Sequence, residues 1–354
     1  MRHACLILVL ACLALTAAVA ARAQAIGVAA PLTGPSALLG LQMKNGAEAA
    51  ANARSITVEI ADDACTVEGG AAAARQFVAA KVEVVTGFLC TESIEAALPI
   101  LKDAGIPVIA TGVRTDSLTG RKGKTGWPVV RTAPRADAEI QAAANILGRL
   151  WRGELFAIID DGTIYSRELS EGFRIAIEAQ SLKPVFIDTF RPQLDNQIGL
   201  AGRLRKSGAT HVFAAGDRAD LAILGRDAAE IGYLVTIAGG EVLRSVSEGV
   251  DLADGTLMIG LPEAAEIADP AVVASFRAAG IEPDGYVLPA YASVEVAAQA
   301  LSVAKSTDAG LLDVLLAEEF QTIFGPIGFD AKGDRTDNPY RLYRYQGGAF
   351  IEVD

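Results

Sequence analysis

Histidine is almost missing from this chain: His3 and His211 are the two in 354 residues. Cysteine is scarce as well, with four. Basic charge is outweighed, since 31 Lys and Arg face 43 Asp and Glu and leave a formal charge of -12. Each shortage excludes something. Nucleic acid and anionic membranes need a basic footprint that is not here. A cysteine nucleophile needs a nearby base, usually histidine, and one histidine with two cysteines past the leader makes a poor metal set. Glycine is plentiful at 35, yet no phosphate loop or dinucleotide fingerprint holds its glycines at the required spacing. No metal and no cofactor are expected. A secreted enzyme is disfavoured too: histidine base, metal cluster and nucleophile elbow are all wanting.

What is there begins with a leader over residues 1–25. "MRH" is a basic start, "ACLILVLACLALTAAVA" is apolar, and "ARAQA" is rich in small residues. Ala21-Arg22-Ala23 fits a small-x-small cleavage site, with Ala23-Gln24-Ala25 as the alternative, and the whole reads as a secretory signal. The apolar stretch, about 17 residues, is at the lower limit for spanning a bilayer. Cys12 does not make a lipoprotein signal, because apolar sequence continues after it. No other segment is read as long and apolar enough to cross a membrane, so an exported, soluble mature chain is expected. Cys5 and Cys12 leave with the leader. Cys65 and Cys90 remain as an even pair in an oxidising compartment. A bridge between them would close a loop of about 26 residues, worth about 3.5 kcal/mol in the chain-entropy account. His211, in "ATHVFAAG", looks like the start of a buried strand and is read as structural.

Past the leader, short β-rich apolar runs alternate with amphipathic helical runs. Strands are expected at 25–32, 56–62, 82–88, 106–112, 155–160, 184–190, 211–216, 234–240 and 257–262. They are apolar on both faces, as strands covered by helices on two sides are. The fold class is α/β, built as doubly wound parallel sheets. The repeat is too long for one sheet. "VVRTAPRADAEI" (129–140) reads as a crossover, and the pattern changes again near 262. One long helix is expected over 286–304, another over 308–318, a connecting segment over 324–334, and a hairpin over 340–353 with Gly347-Gly348 near its turn. Lobe 1 is thus assigned 26–133 and 263–325, lobe 2 134–262 and 326–354.

In such sheets ligands sit outside the carboxyl ends of the strands, so the β-to-α turns matter most. They read "PLTGPSALLG" (31–40), "ADDACTVEGG" (61–70), "GFLCTES" (87–93), "ATGVRTDS" (110–117), "IDDGTIYSRE" (159–168), "AAGDRADL" (214–221) and "AGGEVLRS" (238–245). Together with "IPVIATG", "YASVEVAAQAL" and "GPIGFDAKGD", in this order and spacing, they make the mature chain resemble a type I periplasmic binding protein of the leucine/isoleucine/valine-binding kind. Such proteins are solute receptors of ABC importers. The resemblance implies two lobes joined by three crossings, a Cys65–Cys90 disulfide, a periplasmic location, a monomer, and a membrane permease as partner.

It also implies roles for named residues. Thr91, at or near a helix N-terminus, would hold an amino acid's carboxylate with backbone N–H groups. Tyr165, on the second lobe, would close over the ligand. Glu241 would pair with its ammonium. Leu39, Leu89 and Gly112 join the ligand set. The sequence departs from the pattern at three places. Arg114 stands where a threonine or serine is usual; it would grip a carboxylate or pair with Asp116 or Glu241. Asp217 and Arg218 replace positions that are often aromatic, and Leu39 replaces a bulky aromatic. The ligand is expected to be a small carboxylate, an amino acid first. The alternatives are an aromatic or other amine-free acid, or a sensing domain of the same fold.

Overall fold

The computed structural model describes residues 25–246 and 249–353; the leader, apart from Ala25, lies outside the described residues. In chain order the strands are β1 (Ala25–Ala30), β2 (Thr57–Asp62), β3 (Val84–Gly87), β4 (Val108–Ala110), β5 (Val129–Arg131), β6 (Phe156–Asp160), β7 (Phe186–Thr189), β8 (His211–Ala215), β9 (Thr236–Gly239), β10 (Leu257–Gly260), β11 (Glu319–Thr322), β12 (Gly325–Gly328), β13 (Arg341–Gln346) and β14 (Ala349–Glu352). The chain divides into two compact units. The first takes residues up to Val113, Leu118–Ala133 and Ala268–Arg335; the second takes Arg114–Ser117, Pro134–Ile267 and the chain from Thr336 on.

The first unit is built on a parallel sheet ordered β2-β1-β3-β4-β5. Its strands are short and β-branched, and both faces are covered. Along β1, Ala29 packs into a cluster with Phe77, Ile94 and Leu98. Its neighbour Ala30 points the other way, to Met43 and Ala290, as period-2 alternation requires. Small residues bring the covering helices close. A Cβ on Gly46, in the helix Ala37–Ala53, would stand 1.8 Å from the Val287 carbonyl oxygen, and one on Gly70 would stand 2.0 Å from that of Ser93.

The helix Val287–Thr307 corrects one expectation. Its mean hydropathy of 1.3 over a membrane-length window makes it apolar enough to span a bilayer. It is a core helix of the first unit instead, with Val287, Leu288, Val294, Val296 and Ala300 fully buried. Glu295 on it accepts a 2.7 Å bond from the Ile323 N–H and pairs with Arg54.

The second unit has a sheet ordered β14-β13-β10-β9-β8-β6-β7. Strands β6 to β10 pair in parallel, while β13 runs antiparallel to β10 and β14 antiparallel to β13. The closing hairpin turns on Gly347 and Gly348, both at positive φ (59° and 90°); a two-residue hairpin turn of type I′ demands this of its central pair. Ala157, Ile159, Val212 and Ala214 face one core, and Phe156, Ile158, Phe213 and Ala215 face the other. Phe173 stacks on Phe213 at 4.0 Å between centroids. His211 packs its ring 5.4 Å from that of Trp151, and burial holds its pKa below the ordinary value.

Candidate functional site

In the first unit the ends of β1, β2 and β3 are tied into one shelf. Gly87 closes β3 at φ 107°, and a Cβ there would stand 2.1 Å from the Ala29 carbonyl oxygen, so only glycine fits. The chain then passes Phe88, buried at φ 61°, whose N–H bonds the Ala29 carbonyl at 2.8 Å. Cys90 follows as the extended residue before the helix Thr91–Asp103. Its sulfur is bonded to Cys65, with the Cα atoms 5.2 Å apart, as expected. Asp63, fully buried, accepts the Ser93 hydroxyl at 2.7 Å. Burial pushes its pKa up, and the Ser93 and Cys65 hydrogen bonds only partly offset this. Asp62 accepts the Leu32 N–H and the Thr33 hydroxyl, at 2.8 and 2.6 Å, which anchors the 31–36 turn. Burial opposes its charge, but the bonds from Thr33, Ala64 and Leu32 outweigh burial and hold its pKa below the ordinary value.

Thr91 is thus the first residue of a 13-residue helix whose start is fixed by a disulfide and a buried aspartate. First-turn amides have no carbonyl acceptor within their own helix, and the dipole there favours an anion. Beside it Leu89 and Gly112 meet. A Cβ on Gly112 would stand 2.5 Å from Leu89 Cδ2 and 2.9 Å from Tyr286 Cε1, so glycine leaves room for that apolar wall. Leu39 lies in the first turn of the helix Ala37–Ala53 and is 38% exposed.

The second unit gathers Arg114, Tyr165 and Glu241 with two residues that the sequence did not single out, Glu139 and Tyr340. Glu139 is in the first turn of the helix Ala138–Leu150 and is buried. It accepts the Glu241 N–H at 2.7 Å. The Tyr165 hydroxyl donates to its two oxygens at 3.4 and 3.3 Å. Glu241 opens a single 3-10 turn (Glu241–Arg244) after β9. Its Oε2 accepts the Tyr340 hydroxyl at 3.3 Å and lies 3.6 Å from Arg114 Nη1. Arg114 Nη2 donates to the Tyr340 oxygen, and its guanidinium stands 5.6 Å from the centre of that ring. Asp116 takes Arg135 instead, at 3.5 Å. So the acid expected to meet an ammonium already has a cation of its own.

The electrostatics follow from burial. Burial pushes Glu139 above the ordinary carboxylate range. The Glu241 N–H lowers it, the Glu241 charge raises it and Arg114 lowers it, without reversing the shift. The Tyr165 and Tyr340 phenols are pushed up, first by burial and then by Glu139 and Glu241 respectively. Burial opposes the Arg114 charge, but Tyr340 and Glu241 outweigh it and hold its pKa above the ordinary value.

Asp217 precedes the helix Arg218–Glu230 and caps it, accepting the Asp220 N–H at 3.0 Å. Arg218 donates to the Leu243 carbonyl at 2.8 Å and lies 5.1 Å over the Tyr345 ring. Both are engaged with their own unit.

This two-unit α/β fold, with polar turns at the carboxyl ends of its strands, is that of a solute receptor, and the chain belongs to the periplasmic binding protein family, whose profile matches residues 23–349. The chain is 27% identical to a Leu/Ile/Val-binding protein of Rhizobium johnstonii over 93% of each chain. It is 28% identical to a Leu/Ile/Val-binding protein homologue of Brucella abortus, over 91% of this chain and 90% of that one. Among solved structures it resembles a putative branched-chain amino acid ABC transporter from Rhodospirillum rubrum, with a TM-score of 0.78 and 19% identity over 94% of this chain and 100% of that one.

Proposed function

We propose that this protein is an exported, non-catalytic receptor that captures a small carboxylate, an amino acid first, and hands it to the permease of an ABC importer. The relatives named for leucine, isoleucine and valine support the amino acid. In this reading Thr91 and the first-turn amides of its helix take the carboxylate, and Leu89, Gly112 and Leu39 line the apolar part. Tyr165 and Glu241 take the amine. Two charge-assisted hydrogen bonds at about 1.5–3 kcal/mol each, with one buried side chain, give most of the roughly 8 kcal/mol of a micromolar receptor. The observation that carries the reading is the fixed helix start at Thr91, clamped by the Cys65–Cys90 bridge and Asp63. An amine-free acid is the second reading, and the Arg114–Glu241 pair favours it, because it neutralises the acid that would meet the amine.

A thermal-shift screen of the mature protein against amino acids and small carboxylates tests both. A ligand at 100 times its Kd adds about 2.7 kcal/mol. Stabilisation by amino acids, lost in Thr91→Val, is the expected result. Calorimetry on Glu241→Gln and Arg114→Ala then separates the readings. Loss of binding in Glu241→Gln supports an amine-bearing solute, and loss only in Arg114→Ala supports an amine-free one. No response to any small acid would refute the receptor reading.

A further inference from the structure

Glu139 has no role in what precedes, yet it touches two of the residues assigned to the solute. Its Oε1 holds the main chain of Glu241 at 2.7 Å, and its two oxygens receive the Tyr165 hydroxyl. The contact is built into the backbone. A Cβ on Gly240 would stand 2.3 Å from Glu139 Oε1 and 3.2 Å from the Tyr165 oxygen. Glycine at 240 lets the chain lie directly on the carboxylate.

The chemistry of this contact is one-sided. A phenol has one hydrogen to give, and an ionised carboxylate has none. With its hydrogen committed to Glu139, Tyr165 can offer a solute only lone pairs. Tyr340 is polarised the same way, since its hydrogen goes to Glu241 and its oxygen accepts from Arg114. We propose that Glu139 is a specificity-determining residue: by fixing the direction of the Tyr165 hydrogen bond, it makes this cluster accept from the solute and so favours an ammonium over an amine-free group. The proposal rests on the reading that Tyr165 meets the solute, and goes beyond it in naming what decides the polarity of that contact. Site groups that are orphaned discriminate strongly, because a polar atom left unpaired on binding costs more than a formed bond gains.

Acid reverses the arrangement. A protonated Glu139 can give a hydrogen to Tyr165, freeing the phenol to donate outward. The groups that face Glu139 and set where this happens are Glu241 from the 3-10 turn, Arg114 from the 114–117 segment, Tyr165 from the helix Ile164–Glu178 and Tyr340 ahead of β13. The raised Glu139 pKa brings the reversal closer to neutral pH than an exposed glutamate would.

The test compares wild type with Glu139→Gln. Glutamine keeps an oxygen for the Glu241 N–H but turns an NH2 toward Tyr165. Calorimetry with each of the common amino acids and with its amine-free acid (L-leucine against 4-methylpentanoate, for example) gives a preference ratio. That ratio should fall about tenfold in Glu139→Gln. In wild type it should fall on acidification, and in Glu139→Gln it should stay flat with pH. The Tyr165 ring-carbon NMR signal, assigned by its loss in Tyr165→Phe, should report easier phenol ionisation once the Glu139 charge is gone. An unchanged ratio, or an unmoved Tyr165 ionisation, overturns the proposal. If Glu139→Gln does not fold, Tyr165→Phe serves alone: it should abolish the pH dependence of the wild-type ratio, and persistence of that dependence is overturning. Failure of every amino acid and every amine-free acid to bind wild type counts against the receptor function, while the Tyr165 signal still decides whether Glu139 controls the phenol.

Discussion

Glu139 holds a carboxylate against main chain with 6% of its surface exposed. Burial raises its folded pKa above the unfolded value, so the native state binds its proton more tightly. The ionised form therefore subtracts from stability above the folded pKa, and the deficit disappears as pH falls through it. Glu139→Gln should melt higher than wild type at pH 8, and the difference should shrink toward pH 4. Melting curves across that range check the sign; a variant that melts lower at pH 8 would show that the carboxylate is held by bonds worth more than its desolvation. The residue was not legible in the sequence, for a physical reason. A glutamate in a first helical turn is ordinarily a surface charge that suits the dipole, and nothing local tells that Gly240 will cover it. Tyr340 hides in the same way within an alternating strand edge. Arg114 was legible as an anomaly, but its partner was not: Glu241 and Asp116 were both open, and packing within the second unit decided for Glu241.

At the scale of elements, the strands and helices were legible because each obeys one rule. Strands covered on both faces read as unbroken apolar runs, and the hairpin announced itself with Gly347-Gly348. Less legible was how close the helices come. Gly46 reads as a weak point in the helix Ala37–Ala53, but it is where the Val287 carbonyl rests. Gly46→Ala should cost about 1–3 kcal/mol, as overpacking does, despite alanine's better helix propensity. Urea unfolding measures it, and an alanine variant as stable as wild type would mean the helices separate at no cost. The Cys65–Cys90 bridge is a second case. Removing it as the paired Cys65→Ser and Cys90→Ser should cost about 3.5 kcal/mol, and wild type treated with reductant should show the same loss. Agreement between the two would place the stabilisation in the cross-link and not in the sulfur packing.

At the scale of the whole molecule, the fold class followed from the β-α alternation, and the order of the turns carried the family. Formal charge of -12 is spread over both units, and its many exposed ion pairs are worth little singly. The roles proposed for Thr91, Tyr165 and Glu241 rest on position in the family pattern, since each reads locally as an ordinary helix-start residue.

The apolar helix Val287–Thr307 has a bearing on the chain before it folds. An exported chain threads through a translocation channel unfolded, and a stretch apolar enough to span a bilayer invites lateral escape into lipid. Glu295 interrupts that stretch, although in the folded unit it is a buried acid whose pKa burial raises, with Arg54 and the Ile323 N–H only partly compensating. Removing a charge from the middle of such a segment favours insertion by about 3 kcal/mol. Glu295→Leu should therefore leave a fraction of the protein stranded in the inner membrane, measurable by fractionation and protease protection; full release of that variant would show that folding outruns escape. A side chain that is costly in the finished molecule would then be one that lets the molecule be finished on the correct side.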